Sequence, residues 1–272
     1  MDIGGPLLLV GCGKMGGALL DGWLAQGVAP GAVTVVEPQA ALSDRFAAQG
    51  VGAVVEAGAL SPELMPAVVV LAIKPQQMDA ALPSYARFVR PGTVFLSIAA
   101  GKTIGNFEAV LGAAAAIVRS MPNTPAAVGR GMTVLCANGP VSAAQREVCG
   151  GLLAAVGEIA WVEDEAMLDP VTAVSGGGPA YVFLLIECLA EAGVAAGLPA
   201  DLAMRLARVT VAGAGELVHR AEEPAATLRA NVTSPGGTTL EALKVLMAPD
   251  GLQPLMTRAI AEATRRSREL AV

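Results

Sequence analysis

The sequence predicts an α/β protein in which a domain of alternating strands and helices is followed by an all-helical domain. Short apolar runs bounded by Gly, Pro or acidic residues recur up to about residue 162. They alternate with segments of helical periodicity, which is typical of a mostly parallel sheet. Beyond residue 164 no strand pattern appears. We therefore expect an α/β domain over residues 1–163 and a helical domain over residues 164–272.

The first strand and helix carry a Gly-x-Gly-x-x-Gly motif. The motif, Gly11-Cys-Gly-Lys-Met-Gly16, follows the apolar run 7–10 and opens a helical segment. In this context Gly11 permits a tight turn, Gly13 lets the backbone approach a pyrophosphate, and Gly16 lets the helix pack against the strand. The free N–H groups at the helix N-terminus favour phosphate. The motif predicts a Rossmann-like, dinucleotide-binding domain.

The second strand, 33–36, ends at Glu37. An acidic residue roughly 20 residues past the glycines can accept hydrogen bonds from the adenosine ribose of a dinucleotide. The alternative is a solvated loop carboxylate.

The following elements continue the alternation. The run 67–73 is almost continuously apolar, as a strand buried on both faces is. It ends at Lys74-Pro75, at the edge of the sheet where ligands of open α/β folds bind. Ser142 and Gln145 form a capping-box pattern at the start of a helix. The remaining elements predicted up to residue 162 are a brief helix that starts at Ser61-Pro62, helices 42–49, 76–89, 104–111 and 142–156, and strands 51–55, 93–98, 116–120, 132–136 and 159–162.

The C-terminal part is predicted to contain helices over 165–174, 179–196, about 200–219, 240–247 and 251–270. Between them, Ser234-Pro-Gly-Gly-Thr-Thr239 opens a helix with two adjacent glycines. Unshielded amides at a helix N-terminus can hold a carboxylate without any arginine, and the threonine hydroxyls add donors and acceptors. The alternative is an elaborate N-cap.

The composition restricts the partners. A net charge of −6 and a pI near 4.9 oppose nucleic acid and anionic membranes, which require a basic face. The four cysteines are scattered and the single histidine, His219, precedes Arg220 near a predicted helix end, so we expect no metal site. The run 67–73 is the longest strongly apolar stretch and is too short to span a bilayer. We expect a cytoplasmic protein with reduced thiols.

Seven motifs follow one another along the chain: Gly11-Cys-Gly-Lys-Met-Gly16, Ala72-Ile-Lys-Pro75, Ser97-Ile-Ala-Ala-Gly101, Met121-Pro-Asn-Thr-Pro125, Ser175-Gly-Gly-Gly-Pro-Ala-Tyr181, Gly197-Leu-Pro199 and Val232-Thr-Ser-Pro-Gly-Gly-Thr-Thr239. By these motifs the chain resembles the pyrroline-5-carboxylate reductases along essentially its whole length. Gly177 departs from the family, which usually has a serine between the two glycines.

The resemblance implies reduction of 1-pyrroline-5-carboxylate to L-proline by NADPH or NADH, in a homodimer or a ring of dimers built by the helical domain. It implies Thr239 as the catalytic residue, with its hydroxyl at the ring nitrogen. It also implies that the amides of Gly236, Gly237 and Thr238 hold the substrate carboxylate and that Val232 packs on the ring. The implied substrate-binding residues are Val232, Ser234, Gly236, Gly237, Thr238 and Thr239. The implied cofactor-binding residues are Gly11, Cys12, Gly13, Lys14, Met15, Gly16, Glu37, Ala72, Ile73, Lys74, Pro75, Ala99, Ala100, Gly101 and Asn123.

Hydride transfer to a C=N bond needs no acid from the protein if the imine is already protonated, and the sequence offers no histidine or evident acid pair for that task. Solvent, directly or relayed by Thr239, remains as the proton source. A β-hydroxyacid dehydrogenase would carry a lysine in the long helix 179–196, which has none. A non-catalytic nucleotide sensor would not need the glycine cradle.

Cofactor choice depends on the residues after the second strand. The segment Glu37-Pro-Gln-Ala40 offers no basic residue, and Arg45 is the first that follows. A carboxylate there repels the 2′-phosphate of NADPH, so we expect both cofactors to work, with NADH better served than in a typical relative.

Overall fold

The computed structural model describes residues 3–271 and divides the chain into two compact units. The first runs to Gly176 and also takes in the chain from Ala263 on, and the second is Gly177–Glu262. This division falls later than the predicted one at 163/164, because the connecting segment contacts the sheet: Leu168 packs against Val134 and Cys136. The boundary at 163/164 between a nucleotide-binding domain and a substrate-binding domain stays a prediction.

The first unit contains one eight-stranded sheet. Its strands are β1 (Leu7–Val10), β2 (Val33–Val36), β3 (Gly52–Val54), β4 (Val68–Leu71), β5 (Val94–Ser97), β6 (Ala116–Met121), β7 (Gly131–Ala137) and β8 (Gly157–Trp161). The order is β3-β2-β1-β4-β5-β6-β7-β8, and all neighbours are parallel except β6 and β7. The first six strands have the order typical of dinucleotide-binding sheets, with the crevice between β1 and β4. The predicted α/β fold is confirmed.

Both faces of this sheet are buried, as its continuous apolar runs predict. Along β1, Leu7 and Leu9 belong to one hydrophobic cluster, whereas Leu8 and Val10 belong to the other. The two clusters place helices on opposite faces of the sheet. The strand ends are thereby held rigidly, and Val10 lies in register with Val36 on one side and Leu71 on the other.

The helices of the first unit are α1 (Lys14–Ala25), α2 (Ala40–Ala47), α3 (Pro75–Ala81), α4 (Ile104–Leu111), α5 (Ala143–Ala154) and α6 (Leu168–Val171). The brief helix predicted to start at Ser61-Pro62 is a turn. The prediction of one helix over 76–89 was also wrong. The α-helix ends at Ala81 and a 3₁₀ segment, Leu82–Phe88, follows. Pro83 explains the change, because it lacks the N–H that an α-helix interior needs.

A π-helical turn joins the two units, where the sequence predicts a break at 175–179. The chain passes from α6 through Thr172–Gly176 into α7 (Gly178–Ala195). The second unit continues with α8 (Ala200–Arg220), α9 (Ala225–Asn231), α10 (Thr238–Leu246) and α11 (Leu252–Leu270). The helix α9 was not predicted. The end of α11 belongs to the first unit.

The second unit exposes many large apolar side chains. On α7, Phe183 is 60% exposed and Leu184 57%. The expectation that residues 67–73 form the longest strongly apolar stretch needs correction. The helical segment Glu165–Ala195 is long and apolar enough, by length and composition, to cross a membrane. Exposed side chains of this kind mark an interaction surface.

Candidate active site

The glycine loop lies at the carboxyl end of β1, in the crevice beside β4. Gly11 has φ +87°, and a Cβ at this position would lie 2.7 Å from Ile73 Cγ2. At Gly16 a Cβ would lie 2.3 Å from the Gly11 carbonyl oxygen. Gly13 differs from both, because a Cβ there would meet nothing within 4 Å. The loop therefore needs two glycines for its own packing and leaves its backbone open at the third.

Gly13 is also the N-cap of α1, and no side chain caps this helix end. The first turn leaves the amides of Lys14, Met15 and Gly16 without intrahelical acceptors. Lys14 is exposed beside them. Together with the positive end of the helix dipole, these groups form a site for an anion such as a pyrophosphate.

Glu37 points into this loop and not towards solvent. Its side chain is buried, and Glu37 Oε2 accepts a hydrogen bond from the Cys12 amide at 2.8 Å. Glu37 Oε1 accepts one from the Gln39 amide at 2.9 Å. The carboxylate thus ties the glycine loop to the loop after β2, a contact that the sequence did not reveal.

Cys12 is chemically inert in this setting. Burial, with the nearby Glu37 carboxylate adding to it, raises the pKa of the Cys12 thiol to about 12. The thiol is therefore protonated at neutral pH and acts as a small apolar side chain.

A cavity of about 510 Å³ opens beside the glycine loop, and we call it the β1–β4 cavity. Gln39, Glu56 and Tyr85 also line it, although no motif marks them as ligand-binding residues. Gln39 and Glu56 follow β2 and β3 at the same edge of the sheet, which is a signal that could have found them. The predicted cofactor residues that line this cavity are Gly11, Gly13, Glu37, Ala72, Ile73 and Lys74.

The remaining predicted cofactor residues lie after neighbouring strands. Lys74 is the exposed N-cap of α3 and Pro75 its first residue. After β5, the Ala99 amide donates to Ser97 Oγ at 3.2 Å, Ala100 is exposed and Gly101 turns with φ +73°. Because β1, β4 and β5 are parallel neighbours, these turns share one edge of the sheet.

Asn123 uses its side chain to hold protein loops together. Its Nδ2 donates to Ser175 Oγ at 3.1 Å, and its Oδ1 accepts from the Met132 amide at 2.9 Å. The side chain thereby fixes the π-helical turn to the β6–β7 connection. Gly177 takes no part in this, since it is the N-cap of α7 without a side-chain bond.

In the second unit, the segment before α10 forms the predicted carboxylate cradle, except that one of its amides is already hydrogen-bonded within the loop. Gly236 turns with φ +69°, and the Gly237 amide donates to the Ser234 carbonyl at 3.0 Å. The Gly237 amide is therefore engaged within the loop. The amides of Gly236, Thr238 and Thr239 have no backbone acceptor among the hydrogen bonds of the described residues.

The side chains of this cradle are accessible. Ser234, Thr238 and Thr239 are exposed, and Val232 is 67% exposed. His219 lies exposed in the last turn of α8, as its position in the sequence predicts. The cradle can bind a carboxylate by amides and offer a hydroxyl, but it presents no charged acid or base of its own.

Two family models match the chain. Pyrroline-5-carboxylate reductase dimerisation matches residues 165–270, and NADP oxidoreductase coenzyme F420-dependent matches residues 7–101. The same division between a nucleotide-binding part and a helical part follows from the fold.

Relatives and solved structures agree with these matches. The chain is 42% identical over 265 residues to pyrroline-5-carboxylate reductase of Pseudomonas aeruginosa, covering 97% of this chain and 96% of the relative. It is 35% identical to that of Escherichia coli, covering 96% of each. The structure of a pyrroline-5-carboxylate reductase from Coxiella burnetii superposes with a TM-score of 0.91 at 35% identity, covering 98% of this chain and 99% of that one. A Plasmodium falciparum pyrroline carboxylate reductase with NADP bound has a TM-score of 0.81 at 28% identity, covering 98% of each chain. The chain therefore belongs to the pyrroline-5-carboxylate reductase family.

Proposed function

We propose that this pyrroline-5-carboxylate reductase binds its cofactor at the glycine loop and the carboxylate of its substrate at the N-terminus of α10. The reaction is the reduction of 1-pyrroline-5-carboxylate to L-proline with NAD(P)H. The observation that carries the proposal is the set of open amides at the N-terminus of α10, those of Gly236, Thr238 and Thr239, where no side chain caps the helix.

The first unit fits a dinucleotide. The space beside Gly13 is open, and a Cβ at this position would occupy part of it. The amides at the start of α1 face outward, where a pyrophosphate would lie. The residues that would hold the cofactor are those of the glycine loop, Glu37, the turn 72–75 and the turn 99–101. Asn123 acts by positioning the loop after β6, because its polar atoms are already engaged. When bound, the reduced nicotinamide supplies the hydride.

The cradle of α10 fits the carboxylate of the cyclic imine. Three unpaired amides and the helix dipole favour an anion there without any cation. Gly237 contributes by lacking a side chain, since a Cβ would lie 3.2 Å from the Ser234 carbonyl oxygen. Val232 offers an apolar surface to the ring, and the Ser234 hydroxyl adds a polar group at the rim.

Thr239 is the proposed catalytic residue. Its hydroxyl is exposed next to the cradle, so it can reach the ring nitrogen of a substrate whose carboxylate is bound there. The hydroxyl can accept a hydrogen bond from an iminium N–H, which favours the protonated, electrophilic imine. Solvent supplies the proton, directly or through this hydroxyl.

The charge around the β1–β4 cavity favours NADH over NADPH. Glu37 and Glu56 both line it, and Lys74 is its only lining cation among the described residues. A 2′-phosphate carries up to two negative charges and is repelled by these carboxylates, whereas ribose hydroxyls can donate to them.

We also propose a homodimer, assembled further into a ring of dimers, in the cytoplasm. The exposed apolar side chains of α7 and α8 would be covered by a second copy, and the dimerisation model spans these helices. The acidic net charge and the absence of any disulfide among the described cysteines support a reducing, aqueous location.

An assay with purified protein tests the function. Racemic 1-pyrroline-5-carboxylate is added to the protein with NADH or NADPH, and both cofactor oxidation and proline are measured. The proposal expects L-proline to form as the reduced cofactor is oxidised.

A further inference from the structure

The first basic residue after β2 is held by an acidic residue of another helix. Arg45, on α2, donates from Nη2 to both carboxylate oxygens of Asp21 on α1, at 2.8 and 3.1 Å. Both side chains are about half exposed, with 53% and 46% of their surfaces accessible. The pair therefore joins two helices that both begin at the proposed cofactor site.

The ion pair lines a second cavity, of about 610 Å³, which also borders the glycine loop. Asp21, Arg45 and Lys14 line this α1–α2 cavity. Gly13 and Gln39 line both cavities, so the two meet at the glycine loop and the loop after β2. A substituent on a ribose beside Glu37 would therefore border the α1–α2 cavity.

The charges of this region act on the glycine loop itself. Glu37 and Asp21 raise the pKa of the Cys12 thiol and Arg45 lowers it, although burial is the largest cause. Asp21 and Arg45 are thus close enough to the loop to affect a charge bound there, and the negative charge of Asp21 opposes the positive charge of Arg45.

We propose that the Asp21–Arg45 ion pair is a determinant of cofactor choice. Asp21 holds and neutralises the guanidinium, which would otherwise be the group that attracts a 2′-phosphate, because arginine is well suited to bidentate phosphate binding. This inference rests on the proposed cofactor site. It would account for NADH being better served than in a typical relative although Arg45 follows β2, on α2, and it assigns to Asp21 a role that neither motif nor fold indicates.

The test compares two ligands that differ only in the group in question. Adenosine 2′,5′-bisphosphate and adenosine 5′-monophosphate are titrated into the wild type and into Asp21→Asn, Arg45→Gln and the double variant. Glu163→Gln, which breaks the exposed Arg146–Glu163 ion pair elsewhere on the surface, is the matched control. The affinity ratio of the two nucleotides is the readout at low and at high salt.

We expect Asp21→Asn to raise the preference for the bisphosphate about threefold or more at low salt, with less change at high salt. Arg45→Gln should lower it. In the Arg45→Gln background, Asp21→Asn should have a clearly smaller effect, because only the repulsion by the carboxylate is removed and no arginine is left to release. The same ordering is expected for kcat/KM with NADPH relative to NADH.

Two results would overturn the proposal. One is an affinity ratio in Asp21→Asn that changes no more than in Glu163→Gln. The other is an equal effect of Asp21→Asn with and without Arg45. That result would show that Asp21 only repels the phosphate and does not act by holding the arginine. Failure of the proposed function would give a different result: the wild type itself would not oxidise NADH with 1-pyrroline-5-carboxylate.

Discussion

In the proposed site, Glu37 and Thr239 have different roles: Glu37 holds the backbone of a loop, and Thr239 offers an exposed hydroxyl. Glu37 is buried and both of its carboxylate oxygens accept backbone amides. Thr239 is exposed at the start of α10 beside amides that have no backbone acceptor. Substituting the first changes the shape of a binding loop, whereas substituting the second removes one hydrogen-bonding group.

Thr239→Val is expected to lose most turnover while keeping cofactor affinity. Valine preserves the shape of threonine but cannot hydrogen-bond to the ring nitrogen. By analogy with oxyanion-hole donors, the loss is on the order of 2–4 kcal/mol, or roughly 30- to 900-fold in kcat. Steady-state kinetics and NADH titration measure both quantities, and Thr238→Val, which leaves the second hydroxyl in place, is the control. Wild-type turnover in Thr239→Val would show that this hydroxyl has no catalytic role.

Glu37→Ser is expected to raise kcat/KM with NADPH relative to NADH by about tenfold. The reason is the repulsion between the carboxylate and the 2′-phosphate, which for unit charges at about 4 Å in an effective dielectric near 20 is about 4 kcal/mol before screening. Because Glu37 also holds the Cys12 amide, the KM values of both cofactors should rise. Glu37→Gln separates the effects: it removes the charge and keeps one acceptor oxygen. An unchanged NADPH-to-NADH ratio in both variants would make Glu37 a purely structural residue.

The sequence indicates where Glu37 lies but not what it contacts. Its position after β2 follows from the spacing to Gly16, which depends only on the length of one βαβ unit. Its bond to Cys12 depends on how two loops meet in three dimensions. The same holds for Asn123 and Ser175, which are 52 positions apart in the chain.

At the level of elements, the glycine loop shows that three glycines of one motif have separable roles. Gly11 and Gly16 lack room for a Cβ because of protein atoms, and Gly13 has open space. The structure therefore distinguishes glycines needed for folding from the glycine that leaves space for a ligand.

Gly16→Ala and Gly13→Ala form a matched pair. Gly16→Ala places a methyl group against the Gly11 carbonyl oxygen, so we expect a loss of roughly 1–3 kcal/mol in the free energy of unfolding. Gly13→Ala should leave the Tm unchanged and weaken NADH binding by blocking the approach of the pyrophosphate. Thermal unfolding and NADH titration measure the two effects. A Gly13→Ala variant that binds NADH like the wild type would contradict the proposed position of the pyrophosphate.

Elements that are fixed by local patterns were predicted well. The α4 helix has its predicted bounds, and the capping box of α5 forms with the Gln145 amide donating to Ser142 Oγ. The helix over 76–89 was wrong for a local reason, Pro83, whereas the segment after Ser175 was wrong because a tertiary contact overrides the local signal. The glycines after Ser175 indicate a break, but Asn123 holds Ser175 and the chain continues as a π-helical turn into α7.

At the level of the whole molecule, the apolar surface of the second unit is the feature that a monomer does not explain. We expect a homodimer at micromolar concentration and a monomer for Phe183→Asp, because a buried unpaired carboxylate would oppose association. Val128→Asp, at a 75% exposed position of the first unit, is the control. Light scattering gives the masses. A fully active wild-type monomer would exclude the dimer as a requirement for function.

The central claim is that the two sites, a dinucleotide loop and a carboxylate cradle, act together in one reduction. The most direct measurement is cofactor oxidation by the purified protein with and without racemic 1-pyrroline-5-carboxylate, together with the amount and chirality of the proline formed. The account predicts one L-proline for each NADH or NADPH oxidised, and no oxidation without the imine. Tight cofactor binding without any imine-dependent oxidation would contradict it.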